Sequence, residues 1–170
     1  MLVPAISRSE ELAKKFAAEI YSEKYFFYCG YSHSHELPKF TAEDNQYRWA
    51  IVRESDDEVV GYLAYFIDGV TDTVRNFGLY SFGDNKGKDR KEKDPTYTVG
   101  IDVMSHIKDL IIKHHRIEWC VVCGNPVEPM YDKICKRYGG NKVVLHKCTN
   151  DASGKWYDSA IYEIVDYPPF

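Results

Sequence analysis

Two tyrosines, Tyr131 and Tyr138, fall with Val127 and Ile134 on one helical stripe that follows the turn Asn125-Pro126. A phenol with a pKa near 10 can donate a proton to a leaving group that becomes basic as its bond breaks. Core packing asks for the same stripe, so both readings of each tyrosine stay open. Asn125, before proline, is a turn-former on its residue type alone. Asp68, Asp72 and Glu118 lie at or near predicted strand ends, where a carboxylate serves either as a base or as a solvated surface group.

Other chemistry-bearing residues carry weaker patterns. Cys120 and Cys123 spell C-x-x-C, but within a strand residues three apart point to opposite faces and cannot converge on one metal. No second C-x-x-C completes a ligand set. Cys29, His33 and His35 are close in sequence, without a clear element to align them. His114-His115 closes a predicted helix, where imidazole complements the negative end of the dipole. No metal site is expected.

The elements that would position these groups follow from periodicity. "MLVPAI" predicts a short first strand. Ser7 and Glu10 form a capping box for a helix over about 8–21, whose apolar face is Leu12, Phe16 and Ile20. A second short helix and a loop to Pro38 are expected next. "YRWAIVRE", "VVGYLAYFI" and "VRNFGLYSF" (74–82) predict three antiparallel strands. "GDNKGKDRKEKDP" is polar and nearly neutral and reads as a surface loop. A helix over 99–114, a strand over 116–122, a helix from Pro129 to about 138 ending at Gly139-Gly140, and a terminal hairpin complete the chain. One domain is expected over 1–170. It is α/β (α+β), with a mixed, mostly antiparallel sheet flanked by helices.

Composition narrows the classes. A net charge of −4 and 28% charged residues exclude the basic footprint of a nucleic-acid binder. No apolar run approaches a membrane span. The start turns polar after six residues and the cysteines number five. The expectation is therefore a cytoplasmic chain with reduced thiols, no nucleic-acid partner and no membrane partner. The many aromatic residues leave a homodimer open.

The element order, with Asn125-Pro126, "YDKICKRYGG" and the closing "SGKWYDSAIYEI", resembles the GNAT superfamily of N-acetyltransferases over about 45–165. It is similar in spacing to a divergent bacterial and phage branch. The resemblance implies a GNAT-like fold in which two parallel strands, 74–82 and 116–123, splay to admit acetyl-CoA or another acyl-CoA. An amine of a small molecule or a protein would be the acceptor. Leu79, Tyr80, Ser81 and Phe82 would line the cofactor, and Val99, Gly100, Ile101 and Asp102 would meet its pyrophosphate at a helix start. Asn125 would touch the pantetheine arm. Tyr131 would be the general acid, with Tyr138 in reserve. The phosphate-loop motif is degenerate: Thr96 replaces the family's arginine or glutamine, and Asp102 replaces its second glycine. Lys86, Lys88 or Arg90 would then help to hold the phosphates. These replacements also fit a non-catalytic binding module on the same fold.

Overall fold

The computed structural model describes residues 1–29, 37–41, 46–83 and 99–166, with side chains placed except at 24, 28, 29 and 99–102. Thr96, Lys86, Lys88, Arg90, His33, His35, most of the polar loop, and the side chains of Cys29, Val99, Ile101 and Asp102 lie outside that description.

Strand β1 (Leu2–Pro4) leads through a 3-10 turn (Ala5–Arg8) into α1 (Ser9–Glu19) and α2 (Glu23–Cys29). Next come β2 (Gln46–Arg53), β3 (Glu58–Asp68), β4 (Thr73–Ser81), α3 (Val99–Lys113), β5 (Arg116–Val122), α4 (Glu128–Arg137), β6 (Asn141–Asn150) and β7 (Trp156–Val165). The strands form a seven-stranded sheet ordered β1-β2-β3-β4-β5-β7-β6, in which β4 and β5 pair in parallel and the other neighbours are antiparallel. The chain has the mixed α+β architecture expected from its sequence.

Each sheet face takes a different pair of helices. On one face, Leu12, Phe16 and Ile20 of the first helical region are buried with Ala50, Val52, Tyr80 and Phe82. Phe16 is the hub, its ring 4.8 Å from Phe82 and 5.1 Å from Tyr80. Burying side chains of this size contributes about 1.5–3 kcal/mol each. The alternate residues of the strands face α3 and α4: Leu63, Phe77, Leu79, Trp119 and Tyr162 pack with Val103, Ile107, Tyr131 and Ile134. Both predicted helix stripes are thus core stripes.

One local expectation is corrected. The Ser7–Glu10 capping box does not form, because the 3-10 turn moves the helix start onward and the Ser7 hydroxyl donates to the Pro4 carbonyl at 2.7 Å. Arg8 stands at the N-cap of α1 with no side-chain cap bond. At the other end of the chain the glycine pair behaves as its residue type requires. Gly139 adopts φ +67°, and a Cβ on Gly140 would sit 2.4 Å from the Glu163 carbonyl oxygen. No helix among the described residues is long and apolar enough to cross a membrane.

Candidate active site

The parallel ladder between β4 and β5 holds only Thr73↔Arg116 and Val74↔Ile117. Beyond those two steps the strands separate, and no further β4–β5 pair forms among the described residues. The cause lies in β4. Opposite Ala64, Tyr65 and Phe66 of β3, the strand carries an extra residue between Arg75 and Gly78, and Asn76 sits there at φ +55°. Such a bulge bends its strand and increases the local twist. It begins two residues past the last β4–β5 pair, so β4 turns away from β5 as soon as their pairing ends. Asn is among the few residue types that accept this backbone conformation readily.

The closed end of the wedge is fastened by side chains. Asp72 accepts from the His114 ring at 2.8 Å and from the His115 amide at 2.9 Å. Those two bonds hold its pKa below the ordinary carboxylate value, the His114 contact contributing most. Glu118 pairs with Arg75 across the first open step at 2.8 Å and also with Arg116. Asp68 accepts from the Val70 and Thr71 amides and lies 3.5 Å from Arg75. All three carboxylates considered as bases are therefore held by cations or amides toward the closed end.

The wedge has a cover and a floor. On one face α2 spans it: Tyr25 packs against Phe16 and Tyr80, while Phe27 lies against Tyr157 and 3.4 Å from where a Cβ on Gly124 would be. On the other face Tyr131, only 3% exposed, touches both walls. Its ring centroid is 6.4 Å from Phe77 of β4 and 5.7 Å from Trp119 of β5. Tyr138 stands two turns further on at the C-cap of α4, buried, with Arg137 over its ring at 5.7 Å. The structure brings Tyr131 to the wedge and leaves Tyr138 at the far end of its helix.

Asn125, 4% exposed, uses both ends of its amide. Its Oδ1 accepts from the Val127 amide at 3.0 Å, and its Nδ2 donates to the Phe27 carbonyl at 2.9 Å. One side chain thus shapes the β5–α4 turn and fastens α2 over the gap.

The predicted lining of β4 is divided between the two cores. Leu79 points toward α3 and α4, whereas Tyr80 and Phe82 point toward α1, with Ser81 half-buried. The Tyr80 hydroxyl donates to the Glu19 carboxylate. These side chains are engaged in packing, so what this stretch offers the wedge is its backbone edge. The helix carrying Gly100 is placed by topology. Only residues 114 and 115 separate the end of α3 from β5, and Asp72 holds them at the closed end, so α3 runs back with its first turn toward the open end.

A strand backbone suits an extended ligand arm that itself carries amides, and a helix N-terminus suits a diphosphate. Coenzyme A has both features, an amide-bearing arm and a diphosphate, and the strand β4 and the helix start of α3 are the elements that would hold it. Cys123 is not set up as a nucleophile: burial first, then Glu128, pushes its thiol pKa up. Asn76, Phe77, Trp119 and Phe27 belong to the site and were not singled out by sequence reasoning. The one signal for them is an asparagine inside an otherwise strand-like run, "VRNFGLY".

No protein-family model matches the sequence, and no curated protein is similar to it in sequence. Solved structures are similar in fold. One from Acinetobacter baylyi that carries an acetyltransferase name superposes with a TM-score of 0.65 at 14% identity, covering 99% of this chain and 93% of that one. A GCN5-related N-acetyltransferase from Brucella melitensis gives 0.57 at 16% identity, over 97% of this chain and 75% of the other. A chimeric spermidine N-acetyltransferase from Vibrio cholerae gives 0.52 at 13% identity, over 72% and 69%. The chain has the fold of the GNAT N-acetyltransferases.

Proposed function

We propose that this chain is an N-acetyltransferase that moves an acetyl or related acyl group from acyl-CoA to a primary amine. The observation that carries the reading is the open wedge between β4 and β5, with Tyr131 touching both of its walls. The acetyltransferase names of the similar solved structures do not favour a non-catalytic binding module.

When bound, acetyl-CoA supplies a thioester whose acyl carbon passes from sulfur to the amine nitrogen. The backbone of β4 along 75–81 would hold the pantetheine arm, whose amides suit a strand. The first turn of α3, at Val99 and Gly100, would hold the diphosphate through its backbone N–H groups. Asn125 holds α2 over the gap, and α2 with Phe27 limits the entry of water. Tyr131 gives its hydroxyl proton to the departing sulfur and regains one, through solvent, from the newly acylated nitrogen. The ring contacts with Phe77 and Trp119 hold the phenol in place. Calorimetric titration with acetyl-CoA, paired with thiol release assayed in the presence of an amine panel, tests the proposal. Saturable binding with amine-dependent release is expected; no binding at millimolar acetyl-CoA overturns it.

A further inference from the structure

A groove of about 380 Å³ runs across β2, β3 and β4, lined among others by Pro38, Lys39, Arg48, Tyr62, Phe66 and Asn76. Resting on the transferase reading above, we propose that this groove takes the acceptor, a small amine that bears a carboxylate on an apolar or aromatic body.

Three features carry the assignment. The first is position. Asn76 is the bulge residue of β4, so the groove ends where that strand bends, and the far edge of the same strand is the wedge. Neighbouring strands lie about 4.8 Å apart, so an amine at the groove's end needs to cross only one strand to meet an acyl group in the gap.

The second is charge. The charged groups among the described lining residues are Lys39 and Arg48, both cations. Arg48 Nη1 donates to the Lys39 carbonyl and Nη2 to the Gln46 side-chain oxygen. Of the roughly five N–H donors of a guanidinium, those two bonds leave about three for a ligand, in the planar fork that matches a carboxylate. A polyamine placed here would set its own charge against Arg48.

The third is size and texture. The volume falls in the range of small-molecule sites, and Pro38, Tyr62 and Phe66 give it an apolar wall.

The test compares L-phenylalanine with L-phenylalaninamide, and L-methionine with its amide, at equal concentrations of the neutral amine. Spermidine serves as the cationic probe, and acetyl-CoA as donor to the full chain. The acids are expected to exceed their amides in kcat/KM by about ten- to a hundredfold, the scale of a hydrogen bond to a charged group. Arg48→Gln should erase that preference while leaving the Kd for acetyl-CoA unchanged. Equal use of acid and amide, preference for spermidine, or no transfer to any of them while acetyl-CoA binds overturns this acceptor assignment and spares the transferase reading. Failure to bind acetyl-CoA removes both, and the titration tells the two cases apart.

Discussion

The hydroxyl of Tyr131 and the amide of Asn125 are asked to do different work, and single substitutions separate the two. Tyr131→Phe keeps the ring against Phe77, Trp119 and Tyr162 and deletes only the proton donor. Turnover should fall by about a hundredfold or more, the usual scale of general acid catalysis, with little change in acetyl-CoA affinity. Steady-state kinetics beside a binding titration checks this; unchanged turnover would make Tyr131 a packing residue. Asn125→Ala leaves the Phe27 carbonyl and the Val127 amide without their partner. A cost of about 1–3 kcal/mol in urea unfolding is expected, together with faster amide exchange in α2, because a buried polar pair loses its bonds. Proline after Asn125 made the turn legible in sequence. The bond to Phe27 was not, since it joins residues 98 apart along the chain.

At the scale of elements, the wedge depends on the β4 bulge. Asn76→Val forces a β-branched residue into the left-handed region and should cost about 1–2 kcal/mol or more, or else let β4 straighten toward β5. Asn76→Gly should keep both stability and acetyl-CoA binding. Parallel melts and titrations of the two variants distinguish a backbone role from a side-chain role, and equal behaviour of Val and Gly would remove the bulge from the account. The strands and helices themselves were readable. Leu12, Phe16 and Ile20 recur at helical spacing and are all buried, and 116–122 was recovered at both ends as β5. The bulge escaped because one residue of backbone handedness leaves no periodic trace. The groove of Arg48, Tyr62 and Phe66 escaped because it is assembled from three strands whose alternate residues converge only after the hairpins close. The capping box failed because a 3-10 turn claimed Ser7 first.

Across the whole molecule, pH acts through His106 on the sheet under α3 and through Asp72 at the closed end of the wedge. His106 of α3 lies beside the Tyr65 hydroxyl at 2.8 Å, and burial holds it below its ordinary value near 6.5. Below that value the unfolded chain binds a proton that the folded chain refuses, so stability falls as pH drops through about 6.5. His106→Gln should flatten that step in melts taken from pH 8 to pH 5. Asp72 titrates in the opposite sense of charge, its folded-state pKa being lowered chiefly by His114. Its contribution is present above the ordinary carboxylate value and is lost as pH falls through the lower folded value, which loosens the closed end in acid. Both steps cost stability as the solution turns acid. The most direct measurement of the central claim is hydrogen–deuterium exchange with and without coenzyme A. The account expects coenzyme A to slow exchange along 75–81 and in the first turn of α3, as the bound arm and diphosphate engage the backbone there. Unchanged exchange in both segments at millimolar coenzyme A would contradict it.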